Sequence, residues 1–263
     1  MDETTIRLAV FFGLFAVFAL AETVTPRRRR VFKRWNRWFT NWAISITNTV
    51  VTGLMKALLG ATAVLAALDA ADLGVGLFNV IDLPVWIEVL AVFLILDFAI
   101  WFQHVISHKI PILWRMHRVH HADRDIDVST AIRFHPLEIG LSMLFKVALV
   151  YALGAPVFAV ILFEIVLNGA AMFNHANIRL PQKWDARLRK IIVTPDMHRV
   201  HHSIDRREHD TNYGFNLSIW DRVFGTYLAQ PRHGHEDMMI GLAEYQTAEP
   251  TTFPWSLKLP FQK

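Results

Sequence analysis

The stretch VWIEVLAVFLILDFAIWFQHVISHKIPILWRMHRVHH, residues 85–121, decides how this chain folds. Residues 85–106 are long and apolar enough to cross a bilayer, which takes about 17–25 residues. Near the end of that span stand His104 and His108, four apart and therefore on one helical face. The segment that follows holds His117, His120 and His121, whose i, i+3 and i+4 spacing again gathers them on one helical side. A membrane span thus runs directly into a set of possible metal ligands.

Outward from there the chain stays apolar. Apolar residues make up 53% of it and its mean hydropathy is positive, which is high for a soluble protein. Further apolar stretches at residues 6–21, 41–68, 137–153 and 156–173 bring the expected spans to four or five. The last two are joined by Gly154-Ala155-Pro156, a tight break suited to a helical hairpin. The expected fold class is all-α, an integral membrane helical bundle with a histidine-rich helical cap. The first stretch is expected to be a retained helix. Acidic Asp2 and Glu3 precede it and Arg27 to Arg30 follow it, the reverse of a cleaved signal.

Arg27, Arg28, Arg29, Arg30, Lys33, Arg34 and Arg37 lie between the first two spans and place that loop in the cytoplasm. Span three then returns inward with His104 and His108, and the 137–173 hairpin delivers Asn174 and His175 to the same face. The arginine run is expected to set topology and meet anionic lipid headgroups, with no nucleic-acid partner. Trp35, Trp38, Trp42 and Lys56 read as interfacial or snorkelling residues. The expected organisation is membrane helices with a basic loop over 1–84, the histidine-rich unit over 85–230, and a tail over 231–263.

Thirteen histidines accompany a complete lack of cysteine, so any metal must be held by nitrogen and oxygen. A third cluster, His198, His201 and His202, repeats the spacing of the second inside an identical hexapeptide, Met-His-Arg-Val-His-His, at 116–121 and 197–202. The two copies suggest a site of two related halves, one for each of two metal ions. Sliding one copy over the other sets Phe134-His135 against Phe215-Asn216, which makes His135 a candidate ligand and Asn216 a polar counterpart. Eight clustered histidines exceed the three or four ligands of a zinc site and fit two ions. A polyhistidine surface or pH sensor accounts poorly for the grouping; for His209, His233 and His235 a surface or satisfied core role is the expectation. Imidazole alone suits iron, zinc, copper and nickel.

With Arg133-Phe-His-Pro136, Phe173-Asn-His175, Asn212-Tyr-Gly-Phe215 and Trp220-Asp-Arg-Val-Phe-Gly-Thr-Tyr227, the three boxes resemble the fatty acid hydroxylase/sterol desaturase superfamily. The resemblance covers roughly residues 85–227. It implies a non-haem di-iron centre held by His104, His108, His117, His120, His121, His198, His201 and His202, with His175 and His135 as further ligands. It also implies O2-dependent hydroxylation or desaturation of a fatty acyl, sterol or related apolar lipid, with electrons from a separate donor protein. The metals do the hard step, while the protein positions the C–H bond and excludes water. The rivals are a metal transporter, which would set ligands near the bilayer midplane, and a zinc-dependent membrane hydrolase, whose His-Glu-x-x-His signature is missing.

Three supporting expectations follow. Asp97, seven residues before His104 on nearly the same face, is placed to accept the second ring N–H of a ligand histidine. Lys146 and Glu164 sit at matching depth on either side of the Gly154–Pro156 break and should pair, since a buried charge needs a partner. Arg115, Arg118, Arg199, Arg206 and Arg207 are expected to neutralise Asp123, Asp125, Asp127, Asp196 and Asp205, rather than form a docking face for an acidic electron donor.

Overall fold

The computed structural model describes residues 2–60 and 62–262. Among these the chain is helical and contains no β-strand beyond three isolated bridges. Helix α1, Glu3–Val24, is capped by Asp2, whose side chain accepts from Thr5 N at 2.9 Å. Helix α2, Arg34–Leu59, ends in left-handed Gly60. Two short helices follow, α3 (Ala63–Leu73) and α4 (Leu77–Val80), and then α5 (Val85–Lys109), α6 (Pro111–His121), α7 (Pro136–Leu153) and α8 (Val157–His175). The remainder is a set of short helices: α9 (Gln182–Leu188), α10 (Pro195–His201), α11 (Arg206–His209), α12 (Ile219–Val223), α13 (Gly234–Asp237) and α14 (Phe253–Lys258).

Among the described residues, five helical stretches are long and apolar enough to cross a membrane: α1, the one that opens with α2, α5, α7 and α8. They leave large apolar residues such as Phe12, Leu20, Leu54, Leu90 and Phe158 exposed, as lipid-facing helices do. The protein is an integral membrane protein. The expected span at 41–68 is corrected. It breaks at Gly60, and Ala61 lies outside the described residues; Thr62 then caps α3 by accepting from Leu65 N at 3.2 Å. With 11 residues, α3 extends only about 16 Å, too short for a hydrocarbon core of about 30 Å.

Instead α3 presents Ala63, Ala66, Ala67 and Ala70, all nearly fully buried, to α7 and α8. Methyl-sized side chains let the axes approach closely. The turn after α3 meets the α7–α8 turn backbone to backbone: a Cβ on Gly76, at φ +97°, would fall 2.1 Å from Gly154 N. Val92, Leu96, Val150, Val160 and Phe163 fill the space between these helices and α5.

A buried polar knot fastens α1 and α2 to the cap. Glu22 accepts from the backbone N–H groups of Val128 (2.7 Å) and Asn177 (2.8 Å) and from Arg34 (2.7 Å). Arg37 forks onto Asp123 through two 2.6 Å bonds and reaches Asp127 at 2.6 Å. Arg133, also fully buried, donates to the carbonyls of Val119 and Pro250, to Asn41 and to Ser256.

These bonds correct two expectations. Arg27 pairs with Asp196 and Glu236, and Arg28 donates to the Met238 and His235 carbonyls, so both serve the cap rather than lipid headgroups. Trp38 donates to Asp127 at 3.2 Å and packs on Phe15, as does Trp42, so both are interhelical residues; Trp35 alone of the three is largely exposed. Lys146 does meet Glu164, at 2.8 Å.

Candidate metal centre

Four elements converge at one end of the bundle. The last turns of α5 carry His104 and His108, α6 carries His117, His120 and His121, α8 closes on His175, and α10 carries His198 and His201 with His202 as its C-cap. Pro111 and Pro195 start α6 and α10 at a position where no backbone N–H is needed. All nine histidines are buried.

They form two groups, each with ring nitrogens within 4.8 Å of one another: His104, His108, His117, His121 and His201 in one, His120, His175, His198 and His202 in the other. Each hexapeptide therefore divides its histidines between both groups rather than serving one half. The i and i+4 residues of α6, His117 and His121, go to the first group and His120 to the second; α10 does the opposite, with His198 and His202 in the second and His201 in the first.

Backbone carbonyls set the tautomers. The Nδ1–H of His104 donates to Tyr213 O at 2.6 Å, that of His201 to Thr211 O at 2.7 Å, and that of His175 to Ala171 O at 2.7 Å. A carbonyl can only accept, so each Nε2 keeps its lone pair. Yet His201 Nε2 lies 3.0 Å from His104 Nε2, and His104 Nε2 lies 3.0 Å from His117 Nε2. In the second group His175 Nε2 is 3.0 Å from His120 Nε2 and 3.1 Å from His198 Nε2. Burial first, and neighbouring imidazoles next, hold His120, His121, His198, His201 and His202 well below the ordinary histidine range, so they are neutral. Both ring nitrogens of His108, His121 and His202 are buried without a hydrogen-bond partner. Lone pairs facing one another in a buried site repel unless a cation lies between them. The donor set fits metal ions.

Three expectations fall away. His135 joins neither group: its Nδ1 accepts from Leu137 N at 3.2 Å as the cap of α7, and its Nε2 donates to Leu257 O at 3.3 Å. Asp97 was expected to accept the second ring N–H of a ligand histidine; it accepts from Trp220 Nε1 at 2.8 Å instead, and the Tyr213 carbonyl takes that of His104. Asn216 is buried, but its side chain bonds no histidine. Of the five arginines, Arg199 pairs with Asp196 and Arg207 lies 3.6 Å from Asp205, whereas Arg115 and Arg118 donate to carbonyls near the C-terminus. Arg37 and the Val31 and Phe32 N–H groups serve Asp123, Asp127 and Asp125 instead.

Glu138 escaped notice, and His209 was expected to be a surface or satisfied core residue without a place beside the clusters. Glu138, in the first turn of α7, accepts from His117 Nδ1 at 2.6 Å. His209 is buried beside His108 and His121, its ring centroid 4.8 Å from each, while His233 is exposed. A carboxylate three residues after His135 was the available signal for the first; the second gave none, because α11 is a four-residue turn. The Asn212–Phe215 segment also acquires a reason. Asp221 accepts from Tyr213 N and Gly214 N, both at 2.9 Å, and from Trp101 Nε1 at 3.0 Å, fixing the carbonyl that orients His104. Asn212 holds φ +52° and bridges Met197 O to Leu228.

A cavity of about 510 Å³ opens from His104, His117 and Glu138 and runs between α1, α2, α5, α7 and α8 to Arg7, Lys146 and Glu164.

Residues 89–226, which include every histidine of both groups, match the family model for fatty acid hydroxylase. The chain belongs to the fatty acid hydroxylase family. Within the fatty acid hydroxylases it is 30% identical over 241 residues to an ornithine lipid hydroxylase, OlsE, of Rhizobium tropici, covering 88% of this chain and 70% of that one. It is 32% identical over 164 residues to the alkylglycerol monooxygenase of Homo sapiens and 32% over 160 residues to that of Xenopus tropicalis. Those two matches cover 60% of this chain but only 34% of either relative. No solved structure matches. Family membership and the buried histidines together support a metal centre and lipid oxidation.

Proposed function

We propose that this member of the fatty acid hydroxylase family uses O2 and two iron ions to hydroxylate or desaturate a membrane lipid. His104, His108, His117, His121 and His201 would hold one ion and His120, His175, His198 and His202 the other. One observation carries this: the tautomers imposed by Tyr213 O, Thr211 O and Ala171 O leave unprotonated nitrogens crowded at about 3.0 Å in two buried groups. Iron held there would supply the reduction of O2 by donor electrons and the oxidising power to break an unactivated C–H bond.

The chain's own residues do the rest. Phe134 stacks on His120 with ring centroids 4.3 Å apart, and Phe215 lies 5.0 Å from His104, so rings wall the centre and keep water out. Glu138 holds the proton on His117 Nδ1 and leaves Nε2 turned toward the first group. The cavity brings substrate to His104 and His117 from within the bundle. Residues 85–230 form the catalytic unit, the histidine cap faces the cytoplasm, and electrons come from a separate donor protein. The ornithine lipid and alkylglycerol in the relatives' names favour a polar lipid as substrate.

Purification in detergent without chelator tests this, by metal analysis and by oxidation of a total lipid extract under 18O2. About two irons per chain and labelled oxygen in a lipid are expected for hydroxylation. One zinc with no lipid-dependent O2 uptake would remove the oxygenase reading.

A further inference from the structure

The cavity wall mixes apolar side chains with hydrogen-bonding ones. Beside Ile139, Met143 and Leu167 it is lined by Asn48, Gln103 and Ser142. Asn48 donates to Phe134 O at 2.9 Å, which leaves its Oδ1 buried without a partner, and Glu138 Oε2 is also buried and unpartnered. Such atoms face a cost beside a methylene chain and lose it beside a hydroxyl, amide or ammonium.

The far end is charged. Glu164 Oε1 accepts from Lys146 Nζ at 2.8 Å and Glu164 Oε2 from Arg7 Nη2 at 2.6 Å, so two cations share one carboxylate inside a membrane bundle. Arg7 also reaches Glu3 at 3.0 Å, on the exposed first turn of α1. Lys146 has one such bond for its three N–H donors, and its side chain keeps 13% of its surface accessible. Helix–helix fastening alone needs one cation for Glu164. Glu3 balances the second, so the four charges cancel, and what the cavity is offered is Lys146 with N–H donors still unused. Lys146 is eight residues beyond Glu138 on α7, so it stands about 12 Å along the helix from the histidine level.

We propose that the cavity takes the polar end of the lipid, with Lys146, held by Glu164, binding an anionic oxygen group of that lipid. This rests on the lipid-oxidising function proposed above and deepens it. Hydrogen-bonding groups of the same head then meet Asn48 and Glu138, and the carbon presented to the histidines lies on the head-group side of the molecule.

Binding to the purified full chain, read by native mass spectrometry, separates this from the oxidation chemistry. The probes are an N-acyl amino acid, its methyl ester, a lysophosphatidate and a monoacylglycerol. The free acid or the lysophosphatidate is expected to bind about tenfold more tightly than the uncharged lipids, a preference reduced to about twofold in Lys146→Met and retained in Lys146→Arg. Preference for only one of the two anions identifies a carboxylate or a phosphate as the group bound. Equal binding of acid, ester and lysophosphatidate by the unaltered protein overturns the proposal, as does an equal loss for all four lipids in Lys146→Met. Selective binding with no lipid oxidised would leave the subsite standing and remove the oxygenase.

Discussion

His117 Nδ1 lies 2.6 Å from Glu138 Oε1, and Glu138 is the one carboxylate, among the described residues, that hydrogen-bonds a histidine of either group. The corresponding partners of His104, His175 and His201 are neutral carbonyls. A carboxylate makes the imidazole it holds a stronger donor, so His117 should bind its ion more firmly than its neighbours do. Glu138→Leu is expected to weaken metal affinity by about 10–100-fold, and Glu138→Gln less, because its amide oxygen still accepts the N–H. Competition with a chromogenic chelator measures both; equal affinity in all three proteins would deny Glu138 this role.

The division of each hexapeptide between two groups makes a stoichiometric prediction. His201→Ala, in the first group, and His198→Ala, in the second, should each lower the metal content from about two ions per chain toward one. His135→Ala should leave it unchanged, because His135 caps α7, and should cost about 1 kcal/mol in stability. Metal analysis beside thermal unfolding distinguishes the two classes.

Arg37 is buried against Asp123 and Asp127. Burial pushes the Asp123 carboxyl up, but Arg37 more than offsets this and holds it well below the usual carboxylate range. Its folded value is therefore below its unfolded one near 3.8, so its contribution is complete above that pH and is lost as pH falls further. Arg37→Met, which strands two buried carboxylates, is expected to destabilise the protein by about 3–5 kcal/mol. Acid should weaken the intact protein in two stages: below about pH 6.5, where the unfolded chain protonates histidines that the fold keeps neutral, and further below about pH 4, as the Asp123 contribution is lost.

Gly76→Ala would drive a methyl group into the Gly154 backbone and also strain a left-handed φ. A loss of about 1–3 kcal/mol is expected, at the end of the bundle remote from the histidines. Metal content per folded chain should not change; a variant that folds normally and loses metal would contradict the placement of that contact.

What sequence alone could determine here was local or periodic. Apolar length marked α1, α5, α7 and α8, because a helix must be apolar over a bilayer's thickness whatever it packs against. Helical spacing marked eight histidines, and matched depth about a hairpin paired Lys146 with Glu164. The break at Gly60 stayed hidden, since hydropathy does not register a left-handed residue within an apolar run.

Only the tertiary structure decided which nitrogens share a group. His120 and His121 are adjacent in sequence but about 100° apart around α6, so they turn toward different groups and toward partners from other helices. It also decided that a carbonyl, rather than Asp97, orients His104, and that Glu138 reaches His117. Such contacts are set by where separate helices cross, and spacing along one helix contains no information about the angle of the next.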